Sequence, residues 1–150
     1  MSQTYQSILV AVDGSTNAEV ALQKAIQVAK RNQAKMTIAH VIDTRALHNV
    51  VAFDASIYES LEKEAETLLG NYKKWATDAG LTDIATIVEF GNPKTLLSTN
   101  IPQEAGADLM LLGATGLNTF ERLLIGSSSE YIMRHTDIDI LIVRNPEKSL

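Results

Sequence analysis

Ser7-Ile8-Leu9-Val10-Ala11-Val12-Asp13-Gly14-Ser15 decides how the chain is read. A short run of branched and small apolar residues without polar alternation suits a strand buried on both faces, and Asp13-Gly14-Ser15 closes it in a turn. Immediately afterwards the apolar spacing turns helical, with Ala18, Ala21, Leu22, Ala25, Ile26 and Ala29 on one stripe. Thr16 with Glu19 fits a capping box, and the helix is expected to run to about Arg31.

The same alternation continues outward. Met36 to Ile42 reads as a second strand. A second helix follows on Ile57, Leu61, Ala65, Leu68, Leu69, Tyr72, Trp75 and Ala76, with Gly80 suited to its C-cap. Tyr72 and Trp75 fall on that apolar stripe and are expected in the core. Ile84 to Phe90 is the third strand. Gly91-Asn92-Pro93 then turns into a helix with Asn92 as cap and Pro93 at its first position. Pro102 cannot donate a backbone hydrogen bond and crowds the preceding turn, which predicts a break near Asn100. Asp108 to Leu112, Gly126 to His135 and Asp139 to Val143 complete the pattern as strand, helix and strand.

Five strands alternating with helices predict an α/β fold in three α/β/α layers, with a doubly wound, Rossmann-like parallel sheet. The chain of 150 residues is expected to form one domain. Thr44 to Asp54 is longer than the usual connection, as a lid or as a disordered loop would be.

Composition narrows the function. There is no cysteine, which excludes disulfides and thiolate metal sites. Apolar runs such as Leu109 to Leu112 and Ile140 to Val143 are far shorter than the roughly 20 residues that span a bilayer. The opening Met1 to Gln6 lacks the pattern of a secretory signal, so a cytoplasmic protein without a membrane partner is expected. The net charge is −5 with no basic cluster, which argues against a nucleic-acid partner. An anionic ligand would therefore have to be held by local geometry.

In open parallel sheets, ligands bind beyond the carboxyl ends of the strands where the strand order reverses. The two unusual strand-end loops are Asp13-Gly14-Ser15 and Gly113-Ala114-Thr115-Gly116. If both serve one site, strands one and four are neighbours and the order is 3-2-1-4-5. The second loop leads to Gly126-Ser127-Ser128-Ser129 at a helix start. Glycines that let backbone approach a ligand, unpaired helix N–H groups and three hydroxyls together describe a phosphate cradle.

Gly113, two residues, Gly116, nine residues, then Gly126-Ser127 resembles the nucleotide-binding signature of the universal stress protein family, in its ATP-binding branch. The resemblance extends to Ile8 through Ser15, His40-Val41-Ile42-Asp43, Gly106-Ala107-Asp108 and Ile140-Leu141-Ile142-Val143-Arg144. It implies a fold like that of the adenine nucleotide alpha hydrolases and an ATP ligand, with AMP or ADP as related ligands. By the same resemblance Val41 contacts adenine, Ala11 and Val12 line the base pocket, and Asp13 lies near the nucleotide and its Mg²⁺. Gly113 and Gly116 would lie near ribose and phosphates, and Gly126, Ser127, Ser128 and Ser129 on the phosphate chain. Ala114-Thr115 departs from the larger polar or basic pair of many relatives. Gly113 to Ser129 also contains no lysine, and its single arginine, Arg122, suits either a phosphate contact or a solvated loop position.

Several residues keep two readings. Asp13 suits a metal ligand or a turn carboxylate. His40 lies near the base pocket but is more simply a buried histidine bonded to a neighbour, while His48 and His135 have no suggestive partners. Ile140 to Val143 would be an edge strand, which needs covering by a helix, a loop or a twin strand; relatives dimerise through such a strand. No catalytic set can be assembled from the motif residues. A regulatory ATP-binding module is thus expected first, a slow Mg²⁺-dependent ATPase or adenylyl- or phosphoryl-transfer enzyme second, and a dimeric interaction protein third.

Overall fold

The computed structural model describes residues 4–47, 55–114 and 127–146. Ile8, Leu9 and Val10 have no exposed surface, because β1 (Ser7–Ala11) lies in the middle of a sheet covered on both faces. Its neighbours are β2 (Lys35–Asp43) and β4 (Leu109–Gly113). β3 (Ile84–Gly91) and β5 (Asp139–Val143) form the edges. All pairs are parallel and the order is β3-β2-β1-β4-β5, as the two strand-end loops predicted.

Two clusters sandwich the sheet. Ile8, Val10, Met36 and Ile38 pack with Ala21, Leu22 and Ala25 of α1 (Thr16–Asn32) and Leu69 and Tyr72 of α2 (Ala55–Asp78). The alternate residues Leu9, Ala39, Met110 and Leu112 face Leu97, Ile101 and Ile132 on the other side. Right-handed crossovers demand this division. While the chain steps outward from β1 to β3 its helices lie on one face, and once it returns across β1 to β4 they must lie on the other.

The helix between β3 and β4 is interrupted where Pro102 predicted. Asn92 accepts from the Lys94 N–H at 3.0 Å, and Pro93 opens α3 (Pro93–Thr95). Leu96–Asn100 then forms a π turn, closed by the Ile101 N–H on the Leu96 carbonyl, before α4 (Ile101–Ala105). Pro102 offers no N–H to the preceding turn, and the π turn takes up the mismatch in one extra residue. The last helix is α5 (Ser127–His135). Thr44–Leu47 is a 3₁₀ turn, and the rest of the expected lid or loop, like His48, lies outside the described residues.

Three local expectations are corrected. Ser15, not Thr16, caps α1: its extended backbone places its Oγ to accept from the Ala18 N–H at 3.1 Å. Glu19 instead accepts the Tyr72 hydroxyl at 2.8 Å and ties α1 to α2. Tyr72 is buried, but Trp75 is 39% exposed and lies edge-on to the Tyr72 ring, because it stands at the margin of the stripe. Asp108 precedes β4 rather than opening it: its carboxylate accepts from the Gln6 and Ser7 N–H groups at 2.9 and 3.0 Å and secures the start of β1.

Candidate functional site

The strand order reverses between β1 and β4, and a cleft of about 380 Å³ opens there. Ala11, Val12 and Asp13 enter it from the end of β1, and Val41 from β2. Leu112 and Gly113 enter from β4, Ser128 and Ser129 from the first turn of α5. The fold thus brings the sequence-predicted residues Ala11, Val12, Asp13, Val41, Gly113, Ser128 and Ser129 to one place, with Leu112 added to them. Ser127 opens α5, while Gly116, Gly126, Thr115 and Arg122 lie outside the described residues.

Further walls come from residues whose role the sequence reading did not foresee. Pro93, Leu97 and Ile132 add apolar surface, and Ser15, Asn17 and Ala18 bring in the first turn of α1. Helical periodicity marked Ala18 only as core and did not single out Leu97 and Ile132. Asn17 carried no signal, because a polar residue in a first helical turn is ordinary.

Backbone bonding makes the floor rigid. The Val12 N–H donates to the Ala39 carbonyl at 2.9 Å. His40 Nδ1 lies 2.7 Å from the Val12 carbonyl, and since a carbonyl only accepts, Nδ1 carries the proton. His40 is therefore bonded to a neighbour, as the simpler reading expected, but it is half-buried rather than buried. On the β4 side, Asn17 Nδ2 donates to the Ala114 carbonyl at 2.6 Å and Asn145 Nδ2 donates to Asn17 Oδ1 at 3.2 Å. The Ala114 N–H donates to the Val143 carbonyl at 2.8 Å.

Gly113 is required here by contact. A Cβ at this position would lie 2.5 Å from the Asn17 carbonyl oxygen and 2.7 Å from its carbon, backbone atoms that cannot swing away. The closeness draws the start of α1 against the end of β4 and narrows the cleft between them.

Asp13 is the sole ionisable side chain among the described cleft walls. Its Oδ1 accepts from the Ser15 N–H at 2.9 Å, so the turn role is real, while Oδ2 has no hydrogen bond to a described residue. Mg²⁺ is commonly held through one or two carboxylates with water and phosphate oxygens. Asp13 fits an ion of that kind, shared with a ligand. It does not fit a protein-only cage, since no group of three or more His, Cys, Asp or Glu side chains converges among the described residues. Asp43, also at this edge, is neutralised by Arg45, whose Nε and Nη2 bond its two oxygens at 3.0 and 2.8 Å and hold its carboxyl below the usual range.

An apolar slot beside two helix starts, at the reversal of a doubly wound sheet, defines a Rossmann-like α/β protein with a ligand cleft. Residues 4–144 match the universal stress protein family model, and the chain belongs to that family. A universal stress protein of Staphylococcus aureus (strain USA300) is 47% identical over 144 residues, covering 96% of this chain and 87% of its own. The solved UspA from Lactobacillus plantarum superposes with a TM-score of 0.79 at 28% identity, over 95% of this chain and all of that one. A universal stress protein solved in complex with cAMP has a TM-score of 0.68 at 31% identity, over 94% and 98% of the two chains.

Proposed function

We propose that the chain is a regulatory module that binds an adenine nucleotide, ATP first among them, in the cleft between β1 and β4. One observation carries this reading: the apolar slot of Ala11, Val12, Val41, Leu97 and Ile132 adjoins the first turn of α5. A flat aromatic base suits the slot. Phosphate oxygens suit the unpaired N–H groups and partial positive charge of a helix start, with the Ser128 and Ser129 hydroxyls as further donors. The cAMP complex of a relative shows an adenine nucleotide on a related chain and supports the choice of base.

Mg²⁺ would supply charge neutralisation beside Asp13, which would otherwise repel a phosphate. Gly116 and Gly126 complete the cradle in this reading, and β5 pairs with its twin in a homodimer. The module works in the cytoplasm and responds to stress or energy state through occupancy of the cleft. Ser-His-Asp geometry and a second carboxylate are missing from the described walls, so the binding role is preferred to a transferase or ATPase role.

Isothermal calorimetry with ATP, AMP and cAMP, with and without Mg²⁺, tests the reading. Saturable binding of an adenine nucleotide at one site per chain is expected, weakened by Val41→Glu, which puts a charge into the base slot. An absence of heat with all three ligands rejects it. ATP hydrolysis by pure protein that disappears in Asp13→Ala while binding persists would favour the enzyme over the module.

A further inference from the structure

Phosphates held at α5 meet the partial positive charge of a helix start but no cationic side chain among the described cleft walls, where Asp13 is the only charged group. The geometry points to Lys94 as the cation that meets the phosphate chain. This inference rests on the nucleotide reading above and adds a residue to it.

The placement follows from the faces of the helical run α3, π turn and α4. Pro93 and Leu97 face the cleft. Leu96 marks one flank, since its Cδ1 would lie 2.8 Å from a Cβ at Gly91; that flank faces β3. Ser98 marks the opposite flank, since it shares a groove with Thr136, Asp137 and Ile138, just past the end of α5. The Ser98 hydroxyl donates to the Lys94 carbonyl, so Lys94 stands one turn above Ser98 on the same flank. Both helical runs follow the carboxyl ends of their strands, and α3 and the π turn pack against α5. Pro93 shares the cleft wall with Ser128 and Ser129, so Lys94, the next residue of α3, stands beside α5 near its first turn, as Ser98 stands beside its end.

Its surroundings leave the charge available. Lys94 is half-buried and forms no ion pair with any described residue. Glu130, the acid in the first turn of α5, is already engaged by Arg134 at 3.1 Å. An ammonium on a four-carbon stem can follow a phosphate chain as a point charge, without the fixed fork of an arginine. This supplies from a helix flank the cation that Gly113 to Ser129 lacks as a lysine.

Calorimetric titration of Lys94→Met and Lys94→Arg with Mg²⁺-ATP and with adenosine, at low and high salt, tests the assignment. ATP affinity is expected to fall about tenfold in Lys94→Met and to recover in Lys94→Arg, because a charge-assisted contact at a half-exposed site is lost and restored. Adenosine affinity should not change, which also reports an intact cleft. The salt dependence of ATP binding should be shallower in Lys94→Met. Equal ATP affinity in Lys94→Met and the unaltered chain overturns the role of Lys94 and leaves the nucleotide reading standing. Equal losses for ATP and adenosine assign Lys94 to packing and overturn its phosphate role. If the unaltered chain binds neither ligand, both readings fall.

Discussion

The backbone of Asn17 occupies the space that a side chain at Gly113 would need, with its carbonyl oxygen 2.5 Å from the position of a Cβ. Gly113→Ala must push β4 and α1 apart. Overpacking of this kind costs about 1–3 kcal/mol. Urea denaturation should show the unfolding free energy falling by that amount, with a lower midpoint. A midpoint equal to that of the unaltered chain would mean that the first turn of α1 can retreat freely.

Asp13 combines a turn contact with a charge, and Asp13→Asn separates them. The amide oxygen can still accept from the Ser15 N–H, so stability should stay within about 0.5 kcal/mol. The enhancement of ATP affinity by Mg²⁺ should vanish. Calorimetry at several Mg²⁺ concentrations measures this, and a variant that keeps the full enhancement would reduce Asp13 to a turn residue.

Tyr72 makes stability depend on alkaline pH. Burial first, then the bond to Glu19, holds its phenol far above the ordinary value of 10.0. The folded state therefore keeps a proton that the unfolded state releases above about pH 10. This contribution is complete below that pH and is lost as pH rises towards the folded value. Tyr72→Phe should cost about 1 kcal/mol at pH 7 through the lost hydrogen bond. It should also flatten the decline in stability above pH 10, which denaturation at pH 8, 10 and 11 would reveal; an unchanged slope would remove Tyr72 as its source.

Leu141 is 39% exposed on the edge strand β5. If that edge pairs with its twin, Leu141→Asp places two carboxylates at the joint and should convert a dimer to a monomer in sedimentation experiments. A monomeric unaltered chain, or a variant that stays dimeric, would send the search for the interface elsewhere.

Much of the fold was legible because the local signals agreed. Continuous apolar strands, Asn92 before Pro93, and Pro102 inside a helix each imply a backbone state by sterics, and each appears where expected. The strand order followed from requiring two loops to share a site. Ambiguity entered where neighbours had equal claims: Ser15 and Thr16 can both cap, and only the tertiary bond from Tyr72 draws Glu19 away from the capping box. Trp75 misled because periodicity gives a direction on a helix but not the distance to the edge of the packed layer. Of the cleft, the strand-end residues were readable. Leu97, Ile132 and Asn17 were not, because their importance depends on which helix lies across from them.

The π turn at Leu96–Asn100 has a consequence for chain length. A regular helix turns by about 100° per residue, so one additional residue sets the phase of everything above it relative to everything below. Pro93 and Leu97 are aligned with the cleft while Ile101 is aligned with the core beneath it. Deleting a single residue from this turn would leave a helix of ordinary hydrogen bonding whose upper end is rotated away from the cleft. The segment is expected to tolerate substitution more readily than a change in its count of residues.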